Sequence, residues 1–286
     1  MPIFSSFDTT DFSYQQWGKV ESPSAIVIGI HGFCGAACDF HGLAHFLCQQ
    51  NPQIGMVAYN LRGMGLDPVI SRRGDIESAD YWTRDLLSFC AHLRALHPSI
   101  PLFWCAESLG ALIACKTLYS SPQAQDFCAG LILYSPVVEI NTQVAPWKIS
   151  LARGFARLFP TLRISLNLFT GSKPVKVTQG AADHTAQSNT NIWHVSSFSM
   201  RLLNVIADLI YNMPHTAQSL TSPLLVANGG LDFFTSPDSL ERWILLIPTS
   251  TPVEHAHFPD SYHLMLYDSH AETIFSRTAH WLNQRI

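Results

Sequence analysis

Pro101-Leu-Phe-Trp-Cys-Ala-Glu-Ser-Leu-Gly-Ala-Leu-Ile-Ala-Cys115 reads as a short apolar strand, an abrupt turn holding Ser108, and a helix. A serine on such a strand–turn–helix step projects its Oγ above the carboxyl edge of a sheet, and the turn is so sharp that the flanking positions must be very small. Here they are Ala106 and Gly110, an A-x-S-x-G pattern in which one methyl group departs from G-x-S-x-G. Taken alone, the same residues also fit an ordinary helix whose first hydroxyl caps its N-terminus, so the surrounding chain has to decide.

Working outward, short segments apolar on both faces recur at Ala25–Ile30, Ile54–Tyr59, Pro101–Cys105, Leu131–Ser135, Leu224–Asn228 and Val253–Phe258. Strands buried inside a parallel sheet have this composition. Helix-like stretches at Phe40–Gln50, Ala79–His97, Leu109–Ser120, Pro237–Leu246 and Leu264–Asn283 alternate with them, which predicts right-handed βαβ units. The rhythm breaks once, between Glu139 and Leu220. That interval reads as an inserted cap (139–220) on a core made of residues 1–138 and 221–286, with helix-like pieces at Trp147–Phe159 and Ser197–Tyr211 and a polar loop at Gly171–Asn191.

Composition bounds the function. In 286 residues, 47% are hydrophobic and 13% charged, enough apolar material for one sizeable core. A formal charge of −4 leaves no broad basic surface for phosphate contacts, so no nucleic-acid partner is expected. The N-terminal stretch from Met1 lacks a basic region followed by an apolar one, and no apolar run reaches membrane-spanning length, so a cytoplasmic location is the expectation. The seven cysteines show no C-x-x-C spacing and read as reduced, mostly buried small hydrophobes.

The order of the remaining chemical residues weighs against the helix-cap reading of Ser108. After the strand ending at Asn228 comes Gly229-Gly-Leu-Asp232, and after the strand ending at Phe258 comes Pro259-Asp-Ser-Tyr-His263. Both fall just past strand carboxyl ends, where ligands bind in open α/β sheets, and the order Ser, acid, His suits a catalytic triad on such a sheet. His263 would take the proton of Ser108 and return it to the leaving group, while Asp232 would hold the imidazole tautomer. Asp238, Asp260 and Glu139 are the competing acids; Asp232 is favoured by chain order, and Asp238 reads better as a first-turn helix carboxylate. The first strand ends in His31-Gly32-Phe33, and the backbone N–H groups of Phe33 and Leu109 are the candidate oxyanion donors, with His31 structural.

His31-Gly-Phe33, Tyr59-Asn-Leu-Arg-Gly-Met-Gly-Leu-Asp67, Glu107-Ser-Leu-Gly110, Gly230-Leu-Asp232 and Tyr262-His-Leu-Met-Leu266 together resemble the monoglyceride lipase and lysophospholipase branch of the α/β-hydrolases, also grouped with serine aminopeptidase-like hydrolases. The resemblance spans nearly the whole core. It implies an α/β-hydrolase fold, a mostly parallel central sheet flanked by helices with an inserted cap between the sixth and seventh core strands. It also implies serine hydrolase chemistry without a cofactor. Asn60 stands where members of that branch usually carry aspartate, which with Ala106 marks a divergent member whose substrate need not be a monoglyceride.

The expected substrate is a small-molecule acyl ester or lipid of medium or long chain, with aminopeptidase, thioesterase or acyltransferase as variants of one acyl-enzyme mechanism. A non-catalytic binding protein on the same fold is the remaining alternative. In Trp147–Phe159, Trp147, Leu151, Phe155, Leu158 and Phe159 are interleaved with Lys148, Arg153 and Arg157. Such a helix could rest on a lipid surface as a peripheral contact, although packing on the core is the commoner role. His41 with His45 and His255 with His257 have metal-compatible spacings but no accompanying carboxylate motif, so no metal is expected. The sequence leaves the oligomeric state open.

Overall fold

Strand positions follow from where β-branched and aliphatic residues concentrate. The computed structural model describes residues 1–139, 153–165, 176–178 and 193–286. The main sheet comprises β1 (Ile3–Ser5), β2 (Asp11–Gly18), β3 (Ala25–Ile30), β4 (Ile54–Tyr59), β5 (Leu102–Glu107), β6 (Gly130–Tyr134), β9 (Leu224–Gly229) and β10 (Val253–Phe258), in the order β1-β2-β4-β3-β5-β6-β9-β10. From β4 to β10 every pairing is parallel, with β3 and β5 in register from Ile26↔Leu102 to Ile30↔Ala106. β3, β4, β5, β6 and β9 are buried along their whole lengths, as expected of strands covered on both faces.

Two strands of the main sheet are not among those expected. β1 and β2 form an antiparallel ribbon, and β2 pairs antiparallel with β4 from Tyr14↔Tyr59 to Gly18↔Gly55. In Asp11-Phe-Ser-Tyr-Gln-Gln-Trp-Gly18 the buried Phe12 and Tyr14 alternate with exposed or half-exposed neighbours. A strand with one wet face carries that alternation instead of a continuous apolar run.

The alternation within β3 sends Ile26, Ile28 and Ile30 to one apolar layer and Ala25 and Val27 to the other. The first layer is closed by α2 (Ala79–Leu96), α3 (Leu109–Ser120), α4 (Met200–Ala217) and α5 (Pro237–Ile244), and the second by α1 (His41–Gln50) and α6 (Ala271–Asn283). Met200–Ala217 differs from the expected Ser197–Tyr211. Phe198–Ser199 (β8) pairs with Arg163–Ile164 (β7), and the helix then runs through Pro214 to Ala217. Its buried Leu202, Leu209 and Met213 belong to the same core layer as Leu112 and Leu118 of α3, so it also serves as the crossover helix between β6 and β9. The last helix starts at Ala271, later than the expected Leu264, because Met265–Tyr267 is a separate 3₁₀ turn.

Residues 153–158 are helical, and Arg153 pairs with Asp208 of α4. Residues 147–152 of the expected Trp147–Phe159 helix and nearly all of the Gly171–Asn191 loop lie outside the described residues, and Phe159 follows the helix in a bend. Among the described residues no helix is long and apolar enough to cross a membrane. The paired histidines have protein partners: His41 Nδ1 accepts from Trp17 Nε1 at 3.3 Å, His45 Nε2 accepts from the Gln49 amide at 2.8 Å, and His255 Nε2 lies 2.8 Å from Asn228 Oδ1.

Candidate active site

At the carboxyl end of β5 the chain turns through Ser108 with φ +52° and ψ −112°, a strained conformation for a residue with a Cβ. The turn is held by the Ser108 N–H donating to Tyr134 O at 3.0 Å and by Ser108 O accepting from Ala111 N–H at 3.0 Å. Gly110 is obligatory, since a Cβ there would lie 2.0 Å from Ile30 O. Ala106 is different: it sits in β5 with ordinary backbone angles, paired to Ile30 and Leu133, and its methyl group is fully buried. The A-x-S-x-G departure therefore leaves the turn intact.

The loops after β9 and β10 meet because Gly229 and Gly230 have no side chains. A Cβ at Gly229 would lie 2.2 Å from Ser261 O, and one at Gly230 would lie 2.5 Å from Pro259 O. Leu231 N–H donates to Ser261 O at 3.0 Å, joining the two loops backbone to backbone. Asp268 shapes the second loop by accepting from Tyr262 N–H at 3.0 Å and Ser261 Oγ at 3.1 Å.

This packing brings together three residues that are distant in sequence. Ser108 Oγ–H donates to His263 Nε2 at 2.9 Å, and His263 Nδ1–H donates to Asp232 Oδ2 at 2.8 Å. The His263 and Asp232 side chains are 4% and 1% exposed, so water does not compete for their hydrogen bond. The other carboxylate oxygen, Asp232 Oδ1, accepts from Phe234 N–H at 2.8 Å and Thr235 N–H at 3.4 Å, which fixes the carboxylate plane. An imidazole held in this tautomer can accept the proton of the attacking hydroxyl. The competing acid Glu139 lies elsewhere, bonded by Ser239 Oγ and 3.6 Å from Arg242. Asp238 occupies the first turn of α5, and Asp260 is exposed on its loop.

Gly32 lies against the elbow, where a Cβ would come 3.4 Å from Ser108 Cβ. The next residue, Phe33, packs its ring at a tilt against that of Phe198, with the centroids 4.6 Å apart. Neither Phe33 N–H nor Leu109 N–H donates to an acceptor among the described residues. His31 has the structural part expected of it. It is fully buried, its Nε2 accepts from Leu61 N–H at 3.0 Å, its Nδ1 faces Gly32 O at 2.9 Å, and burial pushes its pKa down to about 4.

The Tyr59–Asp67 stretch braces that loop. Asn60 Oδ1 accepts from Ala37 N–H at 3.0 Å, while its amide donates to Ser13 Oγ at 3.2 Å and to Ser13 O at 3.4 Å, the last a bond that an ionised aspartate could not make. Arg62 is buried between Asp85 and Asp8, with both Asp85 oxygens at 2.7 Å. One site contact had no signature in the sequence: the Phe234 ring meets the His263 imidazole edge-on at 4.6 Å. No spacing rule links residue 234 to residue 263, because the contact exists only once the two loops pack.

A parallel sheet with this strand order, a strained serine at the end of β5 and a histidine and an acid past later strands define an α/β-hydrolase. The chain belongs to the Hydrolase_4 family (serine aminopeptidase, S33), whose model matches residues 21–270. It is similar to a monoacylglycerol lipase of Mycolicibacterium smegmatis, at 21% identity over 94% of this chain and 91% of that one. Among solved structures it resembles a monoacylglycerol lipase of Paleococcus ferrophilus (19% identity, TM-score 0.79, 96% and 99% of the two chains). It also resembles a thermostable carboxyl esterase of Bacillus coagulans (15% identity, TM-score 0.81, 99% and 97%). These structural likenesses bear on the fold; the reaction has to be argued from the site.

Proposed function

We propose that this hydrolase cleaves carboxylic esters, monoacylglycerols or related acyl esters among them, through an acyl-enzyme on Ser108. The reading is carried by the unbroken row Ser108 Oγ, His263 Nε2, His263 Nδ1, Asp232 Oδ2, with links of 2.9 and 2.8 Å. Ser108 Oγ attacks the carbonyl carbon as its proton passes to His263. The negative oxygen of the tetrahedral intermediate is held by the Phe33 and Leu109 N–H groups, and collapse expels the alcohol, protonated by His263. Water then repeats the sequence on the acyl-enzyme, and the acid leaves.

Ester chemistry in place of amide chemistry is supported by the lipases and esterases that the chain resembles. In this reading residues 139–220 are the cap over the site, seated on the core through Met200–Ala217. A cytoplasmic setting fits seven cysteines that are all free thiols. The exposed Phe155, Leu158, Phe159 and Leu162, beside Arg157, would make a peripheral contact with a lipid surface.

Fluorophosphonate labelling together with a p-nitrophenyl ester series and amino-acid anilides tests the proposal. Labelling and ester turnover should both disappear in Ser108→Ala. Labelling that persists in Ser108→Ala removes the nucleophile assignment, and faster turnover of anilides than of esters makes the enzyme an aminopeptidase instead.

A further inference from the structure

Glu107, the residue before Ser108, is a buried carboxyl group with no part in the acyl-transfer steps. Its Oε1 accepts from Leu266 N–H at 3.4 Å, and the dipole of the neighbouring Met265 N–H favours the ionised carboxyl group. Met265 and Leu266 open the 3₁₀ turn that follows His263, and that turn has no side-chain cap of its own. The cap thus comes from the opposite side of the site, from a residue 159 positions earlier. The next residue of the turn, Tyr267, donates its hydroxyl to Asp39 Oδ1 at 2.6 Å, and Asp39 Oδ2 in turn accepts from Ala36 N–H at 2.8 Å.

The electrostatics suit a clamp that stays neutral. Burial, reinforced by the Asp39 carboxylate, pushes Glu107 up to about 8. The other titratable groups that feel its charge are Cys105, Tyr134 and Tyr267, all raised chiefly by burial and therefore uncharged at neutral pH. Asp39 is itself raised by burial. The two ends of the clamp lie close to the reacting atoms: Glu107 is one residue from Ser108, and Leu266 is three residues from His263. The Ser108–His263 hydrogen bond of 2.9 Å tolerates only a few tenths of an ångström of drift before it is lost.

We propose that Glu107 is a positioning residue: its carboxyl group ties the turn after His263 to the strand end that carries Ser108 and so sets the separation of nucleophile and base. This rests on the acyl-enzyme reading above. The side chain touches no substrate and acts only through the backbone it holds.

The test compares Glu107→Leu, Glu107→Gln and Ser108→Ala on p-nitrophenyl butyrate, with active sites counted by fluorophosphonate titration. Removing the acceptor in Glu107→Leu should lower kcat per titrated site about 10- to 100-fold with KM within about twofold, the scale of a misplacement near 1 Å. Glu107→Gln keeps an acceptor oxygen and should stay within about threefold at pH 7. A Glu107→Leu enzyme with lower Tm but full kcat per site overturns the proposal, as do equal losses in the two variants. If Glu107→Leu does not fold, pH profiles decide. An alkaline inflection of kcat near pH 8 in the wild type that is missing from Glu107→Gln supports the clamp, and superimposable profiles overturn it. Activity that survives in Ser108→Ala sinks the acyl-enzyme reading and this inference with it, whereas an inactive Ser108→Ala beside an unimpaired Glu107→Leu sinks this inference alone.

Discussion

Replacing Asp232 by asparagine reverses both hydrogen bonds of His263, and the structure dictates the direction of the reversal. Asp232 Oδ1 accepts from two backbone amides, Phe234 N–H at 2.8 Å and Thr235 N–H at 3.4 Å, while Oδ2 accepts from His263 Nδ1. An asparagine must leave its oxygen on the two amides, since an NH₂ group there would face donors. Its NH₂ then points at His263 Nδ1 and donates to it. The ring proton moves to Nε2, which faces Ser108 Oγ at 2.9 Å as a donor and can no longer take the serine's proton. A triad locked in the wrong tautomer loses about ten-thousand-fold in kcat, roughly 5.4 kcal/mol of transition-state stabilisation. KM and the melting temperature should move little, because the shape persists and both reversed hydrogen bonds are kept. Steady-state hydrolysis of p-nitrophenyl butyrate at pH 7.5 measures the loss, with Glu139→Gln as the control acid. A variant Asp232→Asn within tenfold of wild type, or a Glu139→Gln that loses as much, would refute the assignment.

Other expectations concern the scaffold and the cap. Arg62→Met removes the partner of Asp85, whose side chain is 1% exposed, and should cost about 3–5 kcal/mol in urea unfolding; an unchanged midpoint would show that the pair contributes nothing. His31 is pushed down to about 4 by burial, below its unfolded value of 6.5, so its contribution is complete above pH 6.5 and is lost as pH falls through 4. An imidazole NMR titration with a midpoint near 6.5 for His31 would contradict this. Glu107 has the opposite sign: its pKa is raised from 4.5 to about 8, so its contribution is present below pH 4.5 and lost as pH rises through 8. Glu107→Gln should flatten that part of the stability profile, and an unaltered slope would count against it. Leu158→Glu with Phe159→Glu should reduce sedimentation with phospholipid vesicles while leaving short-ester turnover unchanged, and equal sedimentation would remove the lipid-contact reading.

Much of the core was legible because buried parallel strands have no wet face. Ala25–Ile30 and Ile54–Tyr59, buried along their lengths, run over the residues expected of them, as does the half-exposed edge strand Val253–Phe258. β1 and β2 were missed because their signal is alternation, which over so few residues is easily read as loop. The late start of α6 is of another kind: Leu264–Tyr267 is apolar enough to continue a helix, but Met265–Tyr267 closes as a separate turn whose Leu266 N–H goes to Glu107.

By itself the sequence determined the α/β-hydrolase class, the turn at Ser108 and the order of serine, acid and histidine, because each depends on local residue types and on chain order. Only the tertiary structure shows Asp232 Oδ2 2.8 Å from His263 Nδ1 and Glu139 bonded by Ser239 instead, Ala106 leaving the elbow intact while Gly110 is obligatory, and Phe234 and Glu107 beside the histidine loop. Those are distances between atoms far apart in the chain, set by two glycines that let separate loops touch, and no pattern along one loop encodes the position of the other.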